Sequence, residues 1–136
     1  MAATLRLEIV TPQALAFSED VHMVTLPAID GQLGIYPQHV RLITQLVPGE
    51  MVVTKDGADI SLAVGEGLVD ITGDQVSVLT DMAIRAELID EAKVEEARER
   101  AAARLREKLS DEEVASVNAS LVRALAQLQV RRRRRV

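Results

Sequence analysis

Two histidines, His22 and His39, are the first side chains in this sequence to test for metal or acid–base chemistry. A zinc site needs three or four nitrogen, sulfur or carboxylate ligands brought together. The chain has no cysteine and no His-x-x-x-His pair, and its two histidines fall on different predicted elements. A metal site is therefore not expected. Gly65 and Gly67 flank Glu66 without the Lys-Ser/Thr that a phosphate loop requires, and no serine sits in a Gly-x-Ser-x-Gly elbow. The paired carboxylates Glu95 with Glu96 and Glu112 with Glu113 read as solvated helix faces. With no catalytic constellation, the chain is not expected to be an enzyme, nor to carry a resident cofactor. Unusual residues concentrate instead in GQLGIYPQHVRLITQLVPG, residues 31–49, which holds Tyr36, His39, Pro37, Pro48, Gly31, Gly34 and Gly49. Tyr36 in this stretch fits an ordinary edge aromatic and a contact surface equally well.

The elements that position these residues fall into two halves. From Thr4 to about Thr80 the chain runs in short apolar or alternating pieces: LRLEIVT, VHMVTLPAI, LITQLV, MVVT, ISLAV, GLVDIT and QVSVLT. Turn chemistry separates them at Asp30-Gly31, Pro48-Gly49, Asp56-Gly57, Gly65-Glu66-Gly67 and Gly73-Asp74. Six or more strands at this spacing predict an antiparallel β-sandwich or barrel. In QVSVLT, Val76 and Val78 point to one face, and Gln75, Ser77 and Leu79 to the other. Within 31–49, Asp30-Gly31 turns the chain, Leu33 and Ile35 face the core, Gly34 admits a close backbone approach, and Pro37 ends the strand.

After Ile89 glycine and proline cease, and two helices are predicted with a break near Ser110. Ser110-Asp-Glu-Glu113 matches a capping box. Val94, Ala97, Ala101 and Leu105 form one stripe, and Val114, Val117, Leu121, Leu125 and Leu128 another, which suits a helical hairpin. The first stripe is alanine-rich and buries little, so the hairpin is expected to be weakly held. The fold class is thus an N-terminal antiparallel β-sandwich or barrel over 1–86, followed by a C-terminal α-helical hairpin with a basic tail over 87–136.

Composition bounds the function. At 136 residues the chain is one domain, or one with an appendage. Its apolar runs fall short of the ~18 residues of a membrane span, and MAATLRLEIV places charges where a signal peptide would be apolar. A soluble protein that stays in the compartment where it is made is expected. Phe17 and Tyr36 are the only aromatics, which leaves no stacking platform for single-stranded nucleic acid. Residues 1–85 carry four basic and eleven acidic side chains, whereas Arg131, Arg132, Arg133, Arg134 and Arg135 close the chain as a basic run. An acidic body argues against a duplex-binding face. A nucleic-acid-binding protein would explain the arginine tail and little else.

The segment GQLGIYPQHVRLITQLVPG closely resembles one in the ε subunits of bacterial F-type ATP synthases. GEGLVDITGDQVSVLTDMAIRAELIDEA and ALAQLQV resemble later parts of the same family, so the likeness extends from the first strand to about Val130. The resemblance implies a non-catalytic subunit of the central stalk, bound peripherally at the cytoplasmic face of the membrane through the complex. Its sandwich would couple the γ shaft to the proton-driven ring of c subunits, and its helical hairpin would fold down or extend to restrain ATP hydrolysis. Gln32, where the family usually has glutamate, would face the ring, with Tyr36 and His39 in the contact to the ring and γ. Gln38, Val40 and Arg41 depart from the family's Gly, Ala and Pro and put the loop shape in question. Some members bind ATP through Ile/Leu-Asp-x-x-Arg-Ala. Here Asp90 is kept, Lys93 and Val94 replace Arg-Ala, Arg100 and Arg123 match helpful arginines, and Gln127 replaces another. ATP is therefore expected as at most a weak regulatory ligand, and Asp90 also reads simply as a helix cap. The arginines 131–135 have two readings: a solvated tail that never orders, or an inhibitory contact with carboxylates of the catalytic β (and α) subunits.

Overall fold

The computed structural model describes residues 3–134. Ten strands precede two helices: β1 Leu5–Val10, β2 Leu15–Val21, β3 Met23–Ala28, β4 Gly31–Ile35, β5 His39–Leu46, β6 Gly49–Lys55, β7 Ala58–Val64, β8 Gly67–Gly73, β9 Gln75–Thr80 and β10 Ala83–Arg85. A 3-10 turn, Ala86–Leu88, leads to α1 Glu91–Arg104 and α2 Asp111–Arg133. The strand order is β10-β7-β6-β3-β5-β8-β9-β1-β2, and β4 pairs with β3 off this path. All pairings are antiparallel except β1 with β9, which is parallel. The sheet folds over where β3 meets β5 through the single pair Ala28 and Leu46. Its two layers then enclose one aliphatic core.

Alternation builds that core. Leu5, Leu7 and Ile9 of β1 point inward while Arg6 and Val10 point out. Val76 and Val78 do the same on β9, and Val69 and Ile71 on β8. Ile35 is buried and Leu33 packs against the same cluster, as their spacing predicts. The two ends of the strand order are tied by charge. Glu19 of β2 binds Lys55 at the end of β6 and lies 3.7 Å from Arg85 of β10, whose guanidinium stands 5.6 Å from the centre of the Phe17 ring. These contacts bring the sandwich close to a closed barrel.

Several local expectations are refined. LAFSEDV forms β2 and Ala83–Arg85 forms β10, two strands that apolar alternation does not announce. Val21 ends β2 instead of opening β3, and His22 forms the corner, its N–H donating to the Thr54 carbonyl at 2.9 Å. Asp56 and Gly57 both adopt positive φ, 53° and 77°, as a type I′ turn between β6 and β7 requires. Gly34 does not serve a close backbone approach: a Cβ there would meet only the Met23 methyl at an ordinary 3.5 Å. That role belongs to Gly67, where a Cβ would overlap the Leu79 carbonyl. The departure at Gln38 leaves the loop intact, because Gln38 itself takes φ 65° and donates its N–H to the Asp74 carboxylate at 2.8 Å.

The helices begin where their caps dictate. The Asp90 carboxylate accepts the Lys93 N–H at 3.2 Å. Ser110 accepts the Glu113 N–H at 3.2 Å, while the Glu113 carboxylate takes the Ser110 N–H at 3.3 Å, completing the capping box. The expected stripes hold in part. Ala101 and Leu128 are buried and Val94, Ala97, Leu105, Val114, Val117 and Leu121 are half-buried, but Leu125 is exposed. Ala124 takes its place. The α2 helix is covered on two sides, so its buried set widens to Ala124, Ala126, Leu128 and Val130. Val130 packs with Ala63, Ala86 and Ile89 in a small second cluster between the hairpin and the sandwich.

Two substitutions should shift stability in opposite directions. Gln38→Gly relieves a left-handed residue and should stabilise by about 0.5–1 kcal/mol after the entropy lost to the unfolded chain. Gly67→Ala should destabilise by about 2 kcal/mol or more, since the Leu79 backbone has to move. Urea unfolding of the two variants measures both.

Candidate functional site

The residues singled out in 31–49 occupy both ends of one strand. Gln32 lies near the start of β4, opposite Pro27, and Tyr36 lies just beyond its end, roughly 13 Å away at a strand's rise. Gln32 lines an open groove with Gly31, Glu50, Arg133 and Arg134. Tyr36 is exposed, and half-buried His39 opens β5 with Nδ1 2.7 Å from the Val40 carbonyl. The register of β5 against β8 breaks between His39 and Leu42, and Val40 and Ile43 are left exposed. One end of β4 is thus polar and close to the arginine run, and the other presents apolar side chains.

A second surface escapes any single-segment reading. Leu68 of β8 pairs with Leu79 of β9, Leu79 with Val10 of β1, and Val10 with Leu15 of β2. These four side chains are 38–58% exposed and form a continuous apolar row across four neighbouring strands on the outside of the sandwich. Isolated exposed leucines are ordinary, whereas a contiguous apolar strip marks a contact surface. Leu79 on the polar face of QVSVLT was the one local sign of it.

The helical half holds charge in a set arrangement. Asp90 and Arg100 are both on or next to α1 but about 15 Å apart along its axis, and Arg100 is exposed. Arg123 of α2 is engaged by Asp81 at 3.3 Å and by Ser120 at 3.2 Å. Gln127 turns its amide to the Met82 sulfur at 3.1 Å. The cleft beside Arg123 is lined by Pro48, Glu66, Asp81, Asn118, Ala119 and Val122 and includes neither Asp90 nor Arg100. At about 140 Å³ it is below the roughly 300–1,000 Å³ of small-molecule sites.

The arginine run is not a disordered tail over its described length. Helix α2 continues through Arg133, with Arg134 at its C-cap, and Arg135 lies outside the described residues. Cations are favoured at a helix C-terminus by the aligned backbone dipoles. Arg132 reaches Glu91 at 2.8 Å and Glu95 at 2.9 Å, whereas Arg133 and Arg134 reach Glu50 at 3.4 and 2.9 Å. Arg98 foremost, with Arg132 beside it, holds the Glu95 carboxyl below its ordinary value, and Glu91 foremost, with Glu95, holds the Arg132 guanidinium above its own. The Ser110 amide and hydroxyl lower Glu113. Among the described residues no group of three or more His, Asp or Glu is arranged to hold a metal ion.

Comparison with known proteins agrees over residues 4–131. Residues 4–86 match the family model described as ATP synthase, Delta/Epsilon chain, beta-sandwich domain, and residues 87–131 match the ATP synthase, Delta/Epsilon chain, long alpha-helix domain. The chain is 39% identical over 131 residues to the ATP synthase epsilon chain of Herpetosiphon aurantiacus, covering 96% of each. It is 45% identical over 105 residues to that of Pelotomaculum thermopropionicum, covering 77% of this chain and 78% of the relative. The fold is shared with a chain of the Euglena gracilis mitochondrial ATP synthase, in a cryo-EM structure of OSCP/F1/c-ring, at TM-score 0.71 and 22% identity, covering 88% of this chain and 76% of that one.

The carboxylates of the hairpin give it a defined pH response. A carboxylate whose folded pKa is depressed contributes stability that is complete above its unfolded value and lost as pH falls through the folded value. The helical signal of the full chain should therefore melt at constant temperature above pH 4.5, the ordinary value of Glu113, and at falling temperature below it. Glu113→Gln keeps the cap but cannot titrate, so circular dichroism should show a flatter decline.

Proposed function

Because the chain belongs to the ATP synthase delta/epsilon chain family, we propose that it is a non-catalytic central-stalk subunit that couples rotation of the c-ring to the catalytic head. The observation that carries this reading is the apolar row Leu68, Leu79, Val10 and Leu15 on a sandwich whose interior is wholly spent on packing. A surface of that kind serves docking, and γ is the occupant we assign to it. Gln32 then meets the polar loops of the ring, and Tyr36 and His39 complete the contact to the ring and γ. Among the described residues no helix is long and apolar enough to cross a membrane. Association with the cytoplasmic face of the membrane accordingly runs through the complex.

The helical hairpin supplies restraint of ATP hydrolysis in this reading. Its arginines 131–135 offer forked donors to several carboxylates at once, and we assign them to the catalytic β (and α) subunits when the hairpin extends. ATP remains a weak regulatory ligand at best: Arg123 is occupied by Asp81, and Asp90 spends its carboxylate on the α1 cap.

Two measurements test the proposal. Leu79→Asp should weaken capture by purified γ by about 30-fold or more, the ~2 kcal/mol of a central interface residue, with strand content unchanged by circular dichroism. Undiminished γ binding in that variant removes the row from the interface. Deletion of residues 131–136 should raise ATP hydrolysis by the assembled motor at low salt and less so at 1 M, where the Debye length is only ~3 Å. An unchanged rate at low salt removes the inhibitory role.

A further inference from the structure

The end of α2 is held to two separate bodies by three consecutive side chains. Successive helical residues point about 100° apart, so Arg132, Arg133 and Arg134 fan out. Arg132 turns to Glu91 and Glu95 of α1. Arg133 and Arg134 turn to the sandwich, where they approach different oxygens of one carboxylate, Nη1 of Arg133 at 3.4 Å from Oε1 of Glu50 and Nε of Arg134 at 2.9 Å from Oε2. The Glu50 side chain is only 12% exposed, unlike the carboxylates of a typical surface pair. It stands at the start of β6, in the wall of the groove that also holds Gly31 and Gln32.

The rest of the contact between hairpin and sandwich is slight. Its apolar part centres on Val130 against Ala63, Ala86 and Ile89, with Met82, Ile84 and Val94 half-buried around it. Two of its four buried members, Ala63 and Ala86, are alanines that bury little area each at about 25 cal/mol per Å². Arg123 with Asp81 adds one exposed ion pair, and the Gln127 amide a contact to the Met82 sulfur. An ion pair with a largely covered carboxylate, made twice, is then a large share of what keeps the hairpin down.

We propose that Arg133 and Arg134 are a clip, with Glu50 its catch, that locks the helical hairpin onto the sandwich. The clip is the chain's own competitor for its arginines. While Glu50, Glu91 and Glu95 hold them, they are withheld from carboxylates of any neighbouring subunit. Release exposes a basic helix end and a vacant acidic groove together. The clip stands on this chain's geometry alone; only its consequence for restraint of hydrolysis rests on the stalk reading above.

The chain has no cysteine, so a pair of spin labels on Ala58→Cys and Ser116→Cys reports the distance between the sandwich and α2 in the isolated full chain. At 50 mM salt the parent should give one narrow distance distribution. Glu50→Gln, and separately Arg133→Gln with Arg134→Gln, should each raise the population of longer distances by about three- to tenfold, the range expected of one or two moderately covered ion pairs. Raising salt to 1 M should lift the parent's hairpin by a similar factor and the variants' far less. The arginine substitutions lie outside the sandwich, so they report even if Glu50→Gln perturbs β6. An unchanged distribution in the arginine variant at low salt, or a parent whose hairpin is already lifted there, overturns the clip.

Discussion

Wrapping of a ten-stranded sheet around an almost wholly aliphatic centre is the constraint from which the rest of this molecule follows. With Phe17 as the one aromatic in the core, mainly Leu, Ile and Val fill the interior from both layers, and most strands that take part alternate, whereas residues 61–64 of β7 are buried on both faces, with Ala63 packed in the cluster that includes Val130 of α2. The fold-over at Ala28 and Leu46 and the charge bridge from Glu19 to Lys55 and Arg85 set how far the sheet wraps. Function is pushed to the outer face and to the two ends of the strands, where side chains are free of packing duties.

The hairpin obeys a different balance. Alanine at 101 and 124 is buried within the hairpin, where each such side chain removes little apolar area from water. Caps at Asp90 and Ser110 fix where the helices begin, and ion pairs at both ends, Arg104 with Glu113 and Arg132 with Glu91 and Glu95, tie one helix to the other. The same economy applies between hairpin and sandwich. On the proposed reading, such a division separates two tasks: the sandwich stays folded and docked while the helical arm responds to salt, pH or a partner.

The two surfaces differ in the same sense. The row of Leu68, Leu79, Val10 and Leu15 is part of the rigid sheet, so its shape is set before any partner arrives. The groove with Gln32, Glu50, Arg133 and Arg134 is made jointly by β-strands and the end of α2, so its shape depends on the hairpin's position. One is fixed by the sheet's register, and the other is made jointly by the sandwich and the end of α2.

Much of this was legible in the sequence because it is locally encoded. Period-two alternation in LRLEIV and QVSVLT, the positive-φ pair Asp56-Gly57 and the capping box Ser110 to Glu113 each act within a few residues, so the strands, a hairpin turn and a helix start could be placed without tertiary information. The two-part fold followed. The tertiary structure alone decided what local pattern cannot carry. LAFSEDV became a strand because β1 lay beside it, and Leu125 gave way to Ala124 because α2 is covered on two sides. The apolar row exists only through the register of four strands. Arg134 meets Glu50 across 84 positions of sequence, a pairing that no spacing rule anticipates, since which charges meet depends on where the folded sheet and helix bring them.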